Sequence, residues 1–245
     1  DSDGLHIDWS NGALAETGEG LPGDRGPMAF REFISGRAAS EDAYRRLAHD
    51  VQLIPVDSAT RVQDLTVTNN ALLVKVNAFV KAAKADDPVF APDGTATVTL
   101  HEQLWGESGL ADVITGRTAS GTVTPAPGAS GAMQVVTSPL PLAASNSSVI
   151  VDARELGAQP ALLPHLRDVK GKVIDFGTAA LSVKYFKDGA EYDQSAGLNP
   201  LRLKAEHTQG TLHADLVLTS IASDALKSAL LNKKVGATTP VLILL

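Results

Sequence analysis

Val149-Ile-Val-Asp-Ala-Arg-Glu-Leu-Gly-Ala-Gln-Pro-Ala-Leu-Leu-Pro-His-Leu-Arg-Asp-Val-Lys-Gly-Lys-Val173 is the stretch on which the reading of this chain turns. Three apolar residues in succession, Val149, Ile150 and Val151, predict an interior strand, and Asp152, Arg154 and Glu155 gather charge where it ends. Pro160 and Pro164 fix φ and cannot donate to a ladder, so the segment between them is an extended connection rather than a helix. Lys170-Gly171 predicts the tight turn of a hairpin that continues through Val173 to Phe176.

The exit charges admit two chemistries. Two carboxylates flanking an arginine could poise a general acid, as in glycosidases. The same residues could instead hold a turn, the arginine pairing with Asp152 while the carboxylate accepts backbone N–H groups. A glycan cleft needs aromatic platforms, and aromatics make up only 4% of the 245 residues, so Asp152, Arg154 and Glu155 are read as a structural turn. No catalytic residue is predicted.

Working outward, the hydrophobic fraction of 44% can build cores, but these must be aliphatic. The formal net charge is −7 and the basic residues are scattered, which argues against a nucleic-acid partner. The absence of cysteine excludes disulfides, thiolate zinc sites and thiol nucleophiles. No apolar run approaches the roughly 20 residues that span a bilayer as a helix. A start at Asp1 is read as a mature exported protein whose signal was removed.

Upstream, Leu5, Ile7 and Trp9 alternate with polar residues, and Asn11-Gly12 predicts a type I′ hairpin turn returning through Ala13 to Glu19. From Met28 to Val51, Phe30, Phe33, Ile34, Ala38, Tyr44, Leu47 and Ala48 recur at mostly helical spacing, predicting one amphipathic helix weakened at Gly36. A second helical stripe runs from Leu65 through Leu72, Val76 and Phe79 to near Lys84, opened by a capping box of Thr60 and Gln63. Pro92-Asp93-Gly94 is a turn into Thr95–Leu104, where Ala96, Val98 and Leu100 alternate with threonines, as in a sheet with one buried face. Residues 115–148 are rich in Gly, Ser, Thr, Ala and Pro and read as a linker that packs against a neighbour. Strands are expected at Ala180–Phe186, Leu201–Ala205 and Asp215–Thr219, and a helix at Ser220–Leu231. The closing run Val241, Leu242, Ile243, Leu244 and Leu245 must be buried, either centrally in its own sheet or as an assembly strand on a neighbouring subunit.

Gly18-Glu-Gly20-Leu-Pro-Gly23 has the letters of a dinucleotide fingerprint, but Pro22 and the residues after Gly23 prevent a helix from opening at its third glycine. The six histidines are dispersed with no ligand spacing, so neither a metal nor a cofactor is predicted.

Ile150-Val-Asp-Ala-Arg-Glu-Leu-Gly157, Gln159-Pro-Ala-Leu-Leu-Pro164, Asp168-Val-Lys-Gly171 and Asn199-Pro200 resemble the bacterial outer-membrane and surface lipoprotein family that includes the flagellar assembly proteins FlgP and FlgT. Trp9-Ser-Asn-Gly12, Asp42-Ala43-Tyr-Arg45-Arg-Leu47 and Pro92-Asp-Gly94 resemble it more loosely. That resemblance implies a non-enzymatic protein of the periplasm or cell surface, built from small α/β modules that assemble into rings or disks on the outer membrane. Members often carry a lipidated N-terminal cysteine, which this sequence lacks.

Together these readings predict an α+β protein of two small modules, 1–114 and 149–245, each a mainly antiparallel sheet packed by one or two helices and joined by the 115–148 tract. The expected function is a structural subunit of a homopolymeric ring, disk, tube or filament, with outer-membrane or flagellar components as further partners. The alternative is a monomeric periplasmic adaptor or glycan-binding module, which an exposed Trp9 or Trp105 in a pocket would favour.

Overall fold

The computed structural model describes residues 5–116, 145–175, 183–187, 189–236 and 239–245, so most of the predicted linker, and Phe176 of the predicted hairpin, lie outside the described residues. The fold is α+β with two sheets. Its first unit opens with the antiparallel strands β1 (His6–Asp8) and β2 (Ala13–Gly20). Their connection is not a type I′ turn. The Asp8 carboxylate accepts from the Ser10 and Asn11 backbone N–H groups at 3.0 Å each, and Gly12 takes a φ of 71° while Asn11 does not enter the left-handed region.

Helix α1 (Met28–Asp50) then runs unbroken through Gly36 and ends in a 3-10 turn, Val51–Leu53. Helices α2 (Val62–Thr68) and α3 (Asn70–Lys81) replace the single second helix that the spacing predicts. Asn69 breaks it: its extended backbone ends α2, and its side chain caps α3 by accepting from Leu72 N at 3.1 Å. The expected cap residues are also displaced, since the Asp64 carboxylate accepts from Arg61 N at 2.8 Å. Short strands β3 (Lys84–Ala85) and β4 (Val89–Phe90) pair with β5 (Ala96–Gln103), which also pairs along the whole of β2. Helix α4 (Leu110–Thr115) closes the unit.

Helix α1 buries a stripe of small residues against β2, and this departs from the sequence reading. Ser35, Gly36, Ala39, Ala43 and Leu47 face inward, while Phe30 and Phe33 remain 53% and 64% exposed. The cause is the Gly18/Gly20 face of β2: a methyl on Gly18 would fall 2.1 Å from the Ala43 nitrogen, and one on Gly20 would fall 2.0 Å from the Ser35 carbonyl oxygen. Those glycines, which spell a nucleotide fingerprint, serve close helix-on-strand packing. On the opposite face of the sheet, Thr17 and Thr99 hydroxyls meet at 3.1 Å in partial exposure, so one face is buried and the other polar as the alternation predicts.

The second unit contains β6 (Val149–Asp152), β7 (Leu166–Arg167), β8 (Val183–Phe186), α5 (Gly189–Ala196), β9 (Leu201–Gln209), β10 (Asp215–Leu218), α6 (Ser220–Leu231) and β11 (Val241–Leu244). Its sheet has the order β7-β10-β9-β6-β11-β8, and of its pairings only β9 with β10 is antiparallel. The expectation of a mainly antiparallel second sheet is thus corrected. Physically, the Val149–Val151 run of β6 and the whole of β11 are apolar without alternation because both faces are covered, one by the core cluster that includes α6 and the other by the cluster under α5, which is the environment of parallel strands. The proposed assembly strand is corrected as well: Val241–Leu244 lies buried between β6 and β8 of its own sheet, and only Leu245 is partly exposed. The predicted turn at Lys170-Gly171 is present, with Gly171 at φ 75° and the Asp168 carboxylate accepting from Lys170 N and Lys172 N at 3.0 Å each.

The two units meet along a seam stitched mainly by backbone groups. Leu162 N and Leu163 N donate to Pro55 O and Val56 O at 2.9 and 2.7 Å, and Leu212 N donates to Ser58 O at 2.9 Å. Gly210 permits that approach, since a side chain there would fall 2.4 Å from the Ser58 Cβ. Trp9, Trp105 and Tyr185 fill the same junction: Trp9 lies 5.8 Å from Trp105 and 5.6 Å from Tyr185 between ring centres, and Trp105 Nε1 donates to Leu162 O at 2.9 Å.

Candidate functional site

In sheets with parallel strands, ligands favour the crevice at the carboxyl ends, where connections diverge to either side. Here that crevice is an open cleft of about 870 Å³ bounded by Asp152, Arg154, Glu155 and Leu156 after β6, by Lys204, Ala205 and Glu206 of β9, and by Thr219 at the start of α6. All three charged residues singled out in the sequence line it. Asp175 is not among its lining residues.

The turn that presents them follows from local chemistry. Ala153 N donates to Leu244 O at 3.0 Å, which ties the exit of β6 to β11. The chain then reverses, with Glu155 and Gly157 at φ 67° and 65° and Leu156 N donating to Ala153 O at 3.2 Å. Arg154 reaches back over the turn as a two-pronged clamp, Nε to Asp152 Oδ1 at 2.9 Å and Nη2 to Oδ2 at 2.7 Å, while Arg154 N donates to Oδ1 at 3.2 Å. The Arg154 guanidinium holds the Asp152 carboxyl below the usual carboxylate range, with the Lys204 charge adding to it. Asp152 is therefore ionised and engaged throughout the physiological range. It does not offer the proton of a general acid.

Two further polar centres escaped the sequence reading. Asp215 is fully buried at the seam and accepts from His165 N at 3.0 Å and from Arg167 Nε and Nη2 at 2.8 and 2.6 Å. Burial acts to raise its pKa, but the His165 and Arg167 hydrogen bonds outweigh it and hold the carboxyl at about 2. Ser58 of the first unit lies near this carboxylate and adds to the lowering. Ser58, His165 and Asp215 are thus neighbours, yet the acid sits at the hub and joins the other two, which is not the relay of a nucleophilic triad. No sequence spacing announces this cluster, because its members come from distant segments.

Glu16 is the second centre. It faces α1 from β2 with no exposed surface, and neither carboxylate oxygen has a hydrogen-bond partner among the described residues. Burial pushes its carboxyl up to about 7, and the Asp50 carboxylate adds to the shift from outside hydrogen-bond geometry. A signal was present: Leu14, Glu16, Gly18 and Gly20 share the inward register of one strand, which makes Glu16 a charge on a core face.

No group of acidic or histidine side chains among the described residues could hold a metal ion. Trp9 and Trp105, the residues that would form a sugar platform, are packed into the seam between the two cores. No helix among the described residues is long and apolar enough to cross a membrane.

Residues 148–245 match the family described as the second domain of Treponema pallidum Tp0624. The match spans the second unit alone, including β6, the Asp152–Arg154 turn and β11, and records similarity of that unit. Comparison with curated proteins returns no match.

Proposed function

We propose that this protein is a non-enzymatic structural subunit of a bacterial cell-surface or periplasmic assembly of like subunits, in the form of a ring, disk, tube or filament. The carrying observation is the Asp152–Arg154 clamp: in the cleft where a ligand would be sought, these two charges are spent on each other and on the turn they hold. The seam supports the same reading. Backbone hydrogen bonds and the tryptophan–tyrosine cluster fasten the two units into a scaffold rather than opening a cleft between them. The resemblance of the Val149–Gly171 segment to outer-membrane and flagellar assembly proteins supports an exported, outer-membrane-associated location, with flagellar components as candidate partners. The alternative of a glycan-binding module loses its main support with Trp9 and Trp105 in the seam.

Light scattering and negative-stain electron microscopy of the purified chain test the proposal. Ordered particles larger than one chain are expected at high concentration. A monodisperse monomer under every condition, with no particles on cells, would overturn it.

A further inference from the structure

The small-residue stripe that lets α1 lie close on β2 leaves the large apolar side chains of its first turns without cover. Phe30 and Phe33 stand on the outward face one helical turn apart, 53% and 64% exposed. Phe90 of β4, 42% exposed, lies against the same helix at Gly36, and Val89 is 68% exposed next to it. Met28 and Leu21, 61% and 72% exposed, extend the surface at the start of the helix, where the Arg31 guanidinium holds the Leu21–Gly26 loop by donating to Gly23 O at 2.9 Å. Three of the chain's six phenylalanines thus lie in water on one end of the first unit.

Summed over whole residues, backbone included, these six expose on the order of 700 Å², the scale of the roughly 300–600 Å² of the largest apolar patch on an ordinary monomer. That area is close to the ~800 Å² that each partner contributes to a standard stable interface. The surroundings favour a protein occupant over a lipid surface. Of the adjacent cations, Arg31 donates to Gly23 O and Arg37 pairs with Glu41 at 3.1 Å, and Asp24, Glu32 and Glu41 offset these two and the exposed Arg25, so anionic headgroups would meet a collar of no net positive charge. A helix face with anchors at i and i+3 is also the surface that packs on a symmetric copy of itself.

We infer that the outward face of the N-terminal half of α1, with Phe90 beside it, is a two-fold contact between copies of this chain, making a dimer the building block of the assembly. This rests on the reading of the protein as a self-assembling subunit. The two claims separate in sedimentation velocity of the wild type, Phe30→Glu/Phe33→Glu, and the control Leu198→Glu, whose residue is fully exposed in the second unit. Wild type and control should sediment as dimer or larger. The double variant should dissociate at least about 100-fold more readily, with unchanged circular dichroism. Because the sequence has no cysteine, Phe33→Cys provides an independent arm: mild oxidation should link it into a covalent dimer, and Leu198→Cys should form no covalent link. Assembly that survives in the double variant, with no cross-link at position 33, overturns the contact and leaves the subunit reading standing. A wild type that is monomeric throughout overturns both. Loss in the double variant of wild-type binding to anionic lipid vesicles, by a monomeric protein, would assign the face to a membrane instead.

Discussion

Gly18→Ala tests the argument that small residues govern the first unit. The new methyl would lie 2.1 Å from the Ala43 nitrogen and 2.4 Å from the Ala39 carbonyl oxygen, both helix backbone and unable to swing aside. Restoring ordinary contact requires α1 to rise from β2 by roughly 1.3 Å, in an interior with no slack to absorb it. Beneath a helical stretch of about 15 Å by 10 Å, that lift opens about 200 Å³, or ~5 kcal/mol at about 24 cal/mol per Å³. Bending of β2 recovers part of this, so a loss of about 3–5 kcal/mol is expected. Intrinsic preference predicts the reverse sign, since alanine in a strand is favoured over glycine by about 0.5–1 kcal/mol. Gly23→Ala is the control, as nothing lies within 4 Å of a methyl there. Urea unfolding followed by circular dichroism measures both. A Gly18→Ala stability within about 1 kcal/mol of wild type would refute the close-packing argument.

Glu16→Gln should stabilise the protein by about 3 kcal/mol at pH above 8, since Glu16 binds a proton more tightly folded, at about 7, than unfolded. Its burden on the wild type is absent below the unfolded value of about 4.5 and grows as pH rises towards about 7, so stability falls over that window and the variant should lose the slope. Asp215 has the opposite sign: held at about 2 against an unfolded 3.8, it contributes on the order of 2 kcal/mol above that value, lost as pH falls through about 2. Asp215→Asn should therefore flatten the acid limb of an unfolding series below about pH 4. Glu155→Gly should be neutral or stabilising by about 1 kcal/mol in thermal melts, because the left-handed φ of 67° suits glycine; a loss of assembly in that variant would show that the side chain has a task beyond the turn. Arg154→Ala should lower stability by less than about 1 kcal/mol, as its carboxylate partner stays solvated.

Much of the fold is legible where one strand or turn carries its own chemistry. Val149–Val151 reads as an interior strand, Pro92-Asp93-Gly94 as the turn into β5, and Asp215–Leu218 followed by Ser220 as strand then helix, all as found. What misleads is periodicity without volume. Phe30, Phe33 and Ile34 recur at helical spacing, but which face of α1 is buried is decided by glycines on another strand, in contact only after folding. Strand direction is hidden for a related reason, since the run Val241–Leu244 announces burial on both faces but not which strands will flank it. The Asp152–Arg154 turn was readable because its partners are two residues apart, whereas Asp215 draws its partners from nearly fifty residues upstream.

The place of β11 also constrains the order of assembly of the second unit. Val241–Leu244 comes after every other strand in the chain, yet it occupies the seat between β6 and β8, which touch each other only through it. Until that strand arrives, β6 and β8 each present an open edge of unpaired backbone, and the contacts that close the sheet are among the most distant in sequence. The unit must therefore close in one late step. In a crowded population of half-folded copies, the vacant seat is exposed to the same strand of a neighbour, held off by the far higher local concentration of the chain's own strand.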